Sequence, residues 1–133
     1  MSTGAEPGVI VIRPSEQTTS PQGVAGFVGV SGETAGCTGL SMKLVVIPPG
    51  GKAEPHKHVG YETAIFTISG EVETRYGAGL RQSVITGPGD FLFIPAGVAH
   101  QPVNVGGVEA RAIVARNDPA EAEHVQDYDP TSE

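Results

Sequence analysis

Two short blocks of this chain carry three of its four histidines at a regular spacing. The blocks read Gly50-x5-His56-x-His58-x3-Glu62, closing on Gly70, and Gly89-x5-Pro95-x-Gly97-x2-His100-x3-Asn104. Imidazoles gathered in this way indicate a site for a single metal ion. The chain must therefore adopt a fold that brings two distant segments together.

The spacing of the first block has a physical reason. On an extended segment alternate side chains share one face, so His56 and His58 are expected on the same side, about 7 Å apart. Glu62 has the same parity, and a bend over residues 59–61 can turn its carboxylate toward the imidazoles. His100 follows a Pro-x-Gly turn and comes from another strand. The predicted ligands are His56, His58, Glu62 and His100, with open positions left for a substrate, water or O2.

Short apolar runs alternate with turn residues along the whole chain. Nineteen glycines and eleven prolines occur singly or in turns, which is typical of many short strands joined by tight connections. No helix of normal length is expected. The predicted strands are 9–13, 26–30, 41–47, 63–68, 71–76, 82–85, 91–94, 100–105 and 109–115. This pattern predicts an all-β chain, a jelly roll of two sheets.

The two blocks resemble the paired motifs of the cupin superfamily, G-x5-H-x-H-x3,4-E-x6-G and G-x5-P-x-G-x2-H-x3-N. The second motif is matched at every defined position, whereas seven residues instead of six separate Glu62 from Gly70. Counted backward from Gly70, Thr63 takes the acidic position. We choose Glu62, because an unactivated hydroxyl is a poor ligand, and expect the extra residue to form a bulge in that strand. The resemblance implies a double-stranded β-helix, the jelly-roll cupin barrel.

The length fits a single domain with three parts. Residues 40–116 are expected to form the barrel with both blocks, and residues 1–39 to supply N-terminal strands and a candidate dimer arm. Residues 117–133 carry six acids and no Lys or Arg, so we expect a solvated tail or an arm on a neighbouring subunit. His124, in this tail, is expected to be solvated. The expected assembly is a homodimer.

Charge and cysteine content limit the partners. A net charge of −7 with scattered basic residues argues against nucleic acid. No apolar stretch is long enough for a membrane span, and the single cysteine, Cys37, has no partner for an internal disulfide. Without a basic-then-apolar leader, a cytoplasmic location is the expectation.

Residues near the ligands are candidates for contact with a small-molecule substrate. Tyr61 and Gln101 are predicted to act in catalysis, and the predicted substrate contacts are Thr63, Phe66, Phe93 and Asn104. For Phe93 the alternative is the barrel core, and for Asn104 it is a turn. Four basic residues on strands can also meet an anionic substrate, although alternation does not say which of them face inward: Lys43, Arg75, Arg111 and Arg116.

The resemblance implies one divalent transition metal per chain, and the ligand set accepts Zn, Fe, Mn, Ni or Cu. The preferred function is a metal-dependent enzyme acting on a small metal-chelating metabolite, as a dioxygenase or as an isomerase, lyase or cyclase. The alternative is a non-catalytic module in which the metal orients a bound small molecule. A lower-ranked alternative is similarity to cupins of specialised metabolism that form N–N bonds.

Overall fold

The structure is a computed structural model that describes residues 8–133. Short strands account for most of its regular elements, together with one short helix, α1 (Gly32–Ala35), and single 3-10 turns at Ala78–Leu80 and Pro130–Ser132. The strands are β1 (Thr18–Thr19), β2 (Ala25–Val30), β3 (Ser41–Ile47), β4 (His56–His58), β5 (Thr63–Ser69), β6 (Val72–Tyr76), β7 (Gln82–Thr86), β8 (Phe91–Ile94), β9 (His100–Asn104), β10 (Ala110–Arg116) and β11 (Val125–Asp127).

The strands form two antiparallel sheets. The six-stranded sheet has the order β1-β2-β3-β10-β5-β8, and the five-stranded sheet has the order β11-β4-β9-β6-β7. The chain therefore passes repeatedly from one sheet to the other, as a jelly roll requires. The all-β, double-stranded β-helix prediction is confirmed.

Most predicted strands are present within one or two residues of their expected bounds, and β3 and β8 match them at both ends. The strand predicted over 9–13 is wrong, because this segment pairs with no strand in the described part of the chain. Val9 is 98% exposed. A β-like composition produces a strand only where a sheet edge is available to it.

The extra residue before Gly70 forms the expected bulge. Ala112 of β10 pairs with Thr67, but its neighbour Arg111 pairs with Ser69, so Ile68 is the additional residue. Gly70 has a φ of +78°, and a Cβ there would lie 2.7 Å from the Cα of Ala110. Only glycine fits this turn.

The C-terminal segment packs against its own barrel. Strand β11 pairs with β4, with Val125 opposite His58 and Asp127 opposite His56. Asp118 and Glu123 are buried. The expectation of a solvated tail is wrong for this segment, because its backbone completes the edge of the sheet that carries the histidines.

Candidate metal centre

Three histidines converge on neighbouring strands of the five-stranded sheet, next to the edge that β11 completes. His56 and His58 lie on β4 with the same parity, and His100 begins β9 directly opposite His56. One ring nitrogen from each histidine lies within 4.8 Å of the other two. All three side chains are buried, at 2–3% exposure. The two sequence blocks therefore meet as the spacing predicts.

Each imidazole is oriented by a backbone carbonyl. Nδ1 of His56 lies 2.6 Å from the Glu54 oxygen, and Nδ1 of His100 lies 2.9 Å from the Val98 oxygen. The third bond runs from His58 Nδ1 to the carbonyl of Glu123 at 2.8 Å. A carbonyl oxygen only accepts hydrogen bonds, so each Nδ1 carries the hydrogen and each Nε2 keeps its lone pair. Metal-ligating histidines are held in this way.

The turn before His100 explains how the second block reaches the first. Gly97, at a φ of +78°, donates its N–H to the His58 carbonyl at 2.9 Å. This bond fixes the Pro95–Gly97 turn against β4. The motif glycine therefore ties the two histidine-bearing segments together.

The three histidines suit a divalent ion. His58 Nε2 is buried and has no hydrogen-bond partner among residues 8–133. A buried nitrogen without a partner destabilises the folded protein unless its lone pair binds another group, such as a metal ion. The pKa values of His56, His58 and His100 are lowered to about 4, mainly by burial and with a smaller contribution from the nearby Arg116 cation. The imidazoles are thus neutral at pH 7, as a metal ligand must be.

A cavity extends from the histidines into the barrel. His56 and His100 line one part of it, and its volume is about 60 Å³. Because a single water needs at least about 10–15 Å³ by this measure, the cavity has room for a molecule of only a few heavy atoms. Its walls are mainly apolar, with Val45, Ile47, Ile65, Leu92, Ile94 and Val114 among them.

The structure places Glu62 outside the histidine group. Its side chain is exposed, and its backbone N–H donates to Asn117 Oδ1 at 2.8 Å. Thr63, the next residue, is 2% exposed and accepts a hydrogen bond from Arg116 Nε at 3.0 Å. Thr63, and not Glu62, therefore takes the inward position, and its hydroxyl binds Arg116, which lines the cavity together with His56 and His100. The bulge at Ile68 lies farther along the strand and does not turn Glu62 inward.

The polar residues predicted to serve catalysis or substrate binding have other contacts. Tyr61 stacks on the His124 ring at a centroid distance of 5.3 Å. Gln101 donates to the Ala53 carbonyl at 3.0 Å. Asn104 donates to the carbonyls of Ile47 and Val108 at 2.8 Å each and accepts from the N–H of Gly106 at 2.9 Å. Asn104 thus holds a turn, the alternative that the sequence left open.

The aromatic residues predicted to line the substrate site lie on the opposite face of their strands. Phe93 is 58% exposed, and Phe66 packs on Phe91 with the rings 4.7 Å apart. Their neighbours Ile65, Leu92 and Ile94 line the cavity instead. The prediction that Phe66 and Phe93 line the substrate site is therefore wrong, and the residues that line the cavity are one position away on each strand.

The four strand-borne basic residues divide into two pairs. Arg75 and Arg111 are more than 40% exposed and pair with nearby glutamates. Lys43 and Arg116 line the cavity and bind the buried carboxylate of Glu123. Sequence reasoning missed Glu123, because nothing in an acidic, turn-rich tail marks one of six acids as buried.

A family model and curated relatives both match this chain. Residues 43–116 match the model of the Cupin domain family. Germin-like protein subfamily T member 3 of Arabidopsis thaliana is 35% identical over 118 residues, covering 78% of this chain and 48% of that protein. Member 2 of the same subfamily, also from Arabidopsis thaliana, is 32% identical over 106 residues, covering 78% and 46%. The chain thus spans about half the length of the curated relatives it matches.

A solved structure of oxalate oxidase in complex with the substrate analogue glycolate shares the fold. It superposes with a TM-score of 0.72 at 25% identity, covering 95% of this chain and 66% of that one. No helix within residues 8–133 has the length and apolar character needed to cross a membrane.

Proposed function

The chain belongs to the cupin family, and we propose that it is a metal-dependent enzyme acting on a small carboxylate that chelates the ion. The observation that carries this proposal is the convergence of three neutral imidazoles, each fixed through Nδ1 by a backbone carbonyl. A preorganised set of this kind is what a bound ion requires. The ion would be held by His56, His58 and His100.

A divalent ion bound there would supply Lewis-acid polarisation of a carboxylate or carbonyl oxygen. The protein's own residues would provide the rest. Apolar walls that include Ile65 and Leu92 exclude water, and the cavity of about 60 Å³ limits the ligand to a few heavy atoms. The cations Lys43 and Arg116 face the same cavity and favour a negatively charged ligand.

Size and charge together favour two- and three-carbon hydroxy acids, keto acids and dicarboxylic acids. The related fold of oxalate oxidase, solved with glycolate as its substrate analogue, supports small carboxylates as the first compounds to test. Because Thr63 stands where the family motif has an acid, the chemistry of this chain need not follow that of relatives with a full ligand set.

The test begins with the metal content of protein purified without a histidine tag, expected near one ion per chain. Native, metal-stripped and His58→Ala proteins are then incubated with glycolate, oxalate, glyoxylate, pyruvate and lactate, with and without O2. The proposal expects conversion by the native protein alone. Conversion that consumes O2 marks an oxidase or dioxygenase, and conversion without O2 marks a lyase or isomerase.

A second candidate is a metal-assisted binding module. Thr63 in the inward position favours it, because the histidine group then has no carboxylate ligand within the described residues. This module would bind one of the same acids at micromolar concentration and convert none of them in either atmosphere. No feature of residues 8–133 bears on N–N bond formation.

A further inference from the structure

Glu123 lies at the centre of a buried group of charged and polar side chains behind the cavity. Its carboxylate is 2.6 Å from Lys43 Nζ, accepts from Gln22 Nε2 at 3.2 Å, and pairs with Arg116 Nη1. Glu123 itself is 2% exposed. Burial raises the pKa of this carboxyl, but the two cations outweigh burial and hold it below its ordinary value. Glu123 is therefore a buried anion.

The backbone of the same residue reaches the metal centre. Its carbonyl accepts the hydrogen of His58 Nδ1 at 2.8 Å. Glu123 has a φ of +62° and His124 one of +41°, a conformation that side chains other than glycine rarely adopt. Such a conformation persists only where surrounding contacts hold it. One residue of the C-terminal segment thus orients a histidine with its backbone and binds two cations with its side chain.

The local charge balance explains why an anion is needed at this position. Thr63 fills the inward position of the motif and contributes no charge, while Arg116, bound to the Thr63 hydroxyl, adds a positive one. Arg116 lines the same cavity as His56 and His100, so its positive charge lies close to the histidine group. With Lys43 nearby, an incoming divalent ion would meet two cations. Glu123 binds both of them, and the buried Asp118 acts on Arg116 alone.

We propose that Glu123 is the positioning residue that takes over the electrostatic role of the motif carboxylate, partly offsetting the positive charge of Arg116 and Lys43 so that three histidines retain a divalent ion. The inference rests on the proposed metal centre. It assigns Glu123 no direct bond to the ion. The carboxylate acts through the two cations, and the carbonyl acts through His58.

The experiment titrates the metal-free 133-residue chain with Co²⁺ and then adds azide to the loaded protein, both followed by visible absorption. In Glu123→Gln the amide keeps the shape but leaves both cations without their counter-ion. Co²⁺ affinity should fall about 10-fold to 100-fold, the usual range for residues behind a ligand, while azide should bind about 10-fold more tightly because the site is more positive. Glu121→Gln removes the same charge from the same segment and should match the wild type.

The Lys43→Gln variant removes a positive charge and therefore tests the opposite change in Co²⁺ affinity. Removing one cation leaves the Glu123 and Arg116 charges balanced, so Co²⁺ should bind more tightly and azide more weakly than in the wild type. The double variant Glu123→Gln with Lys43→Gln should return Co²⁺ affinity close to the wild-type value. Structural damage would instead lower Co²⁺ affinity in both single variants and add up in the double variant.

The outcomes separate the two proposals. A wild-type protein that binds no Co²⁺ would end the proposed function itself. A wild type that binds Co²⁺ together with an unchanged Glu123→Gln, or a Glu123→Gln that weakens both Co²⁺ and azide, would overturn the role of Glu123 alone. If Glu123→Gln does not fold, Lys43→Gln decides, since unchanged or weaker Co²⁺ binding there overturns the inference.

Discussion

Side chains on the β5 and β8 strand pair alternate between two faces, and the two faces differ in side-chain size and in exposure. Ile65 and Ile94 line the cavity, and Thr63, which has the same parity as Ile65 on β5, is buried. On the other face, Phe91 is 81% exposed and Phe93 is 58% exposed. The larger aromatic side chains are therefore outside, and small or aliphatic ones form the wall of the cavity.

This difference shows that residue size does not predict which face is internal when both faces of a strand are apolar. A jelly-roll strand next to a small cavity has room for Ile and Thr, whereas a phenylalanine would fill that space. A shift of one residue reverses the assignment of every side chain on the strand.

The largest effect is expected on the inner side, at His100. The His100→Ala variant leaves two imidazoles, and each lost ligand removes a strong bond and opens the site to water. We expect metal affinity to fall at least about 100-fold, the upper range for residues that only support a ligand. Elemental analysis after dialysis measures this, and His124→Ala is the matched control. Full occupancy in His100→Ala would rule out the three-histidine centre.

A second effect is expected on the outer face. The homodimer stays a prediction, and the exposed pair Phe91 and Phe93 on a sheet edge is the apolar surface that it would cover. Sedimentation of the wild type should give a mass near twice 13.7 kDa. Phe93→Ser should shift the protein toward the monomer and leave metal content unchanged.

The control for this face lies on the other sheet. Ile85 is also apolar and 57% exposed, so Ile85→Ser changes a comparable surface at a different place. It should keep the wild-type mass. A wild type that sediments as a monomer at micromolar concentration would contradict the dimer, and equal effects of both variants would contradict its assignment to this face.

The sequence was sufficient for the parts of this molecule that local rules determine. Turn residues and apolar runs located strands such as β3 and β8, and the parity of His56 and His58 placed both on one face. The sequence does not show which of two alternating sets of side chains faces inward. The predictions for Glu62 and Phe93 are for this reason each one residue away from the inward position. The role of Glu123 could not be predicted for another reason, because its partners Lys43 and Arg116 become neighbours only after the barrel forms.

A third effect concerns the pH dependence of the metal-free protein. The pKa of each of the three histidines is about 4 in the folded state, below the ordinary value of 6.5. Between these values the unfolded chain binds protons that the folded chain does not, so the stability present above pH 6.5 should be lost as the pH falls toward 4. Thermal unfolding across this range measures the slope.

Replacement of a buried histidine identifies the source of that slope. His58→Ala removes one imidazole whose pKa is lowered mainly by burial, so it should flatten the pH dependence. A His58→Ala protein with the wild-type slope would show that the buried imidazoles do not govern stability in this range.

The smallest effect is expected at the border between the faces, where Glu62 precedes Thr63. Because the Glu62 carboxylate is exposed and outside the histidine group, Glu62→Gln should leave metal affinity within about twofold of the wild type, as a surface substitution does. Thr63→Val removes the hydroxyl that accepts from Arg116 Nε, so the freed guanidinium should lower metal affinity by a few-fold. Paired metal titrations of the two variants measure both. A large loss in Glu62→Gln with no change in Thr63→Val would mean that Glu62 turns inward to bind the ion, and that the inner face begins one residue earlier than the strand register indicates.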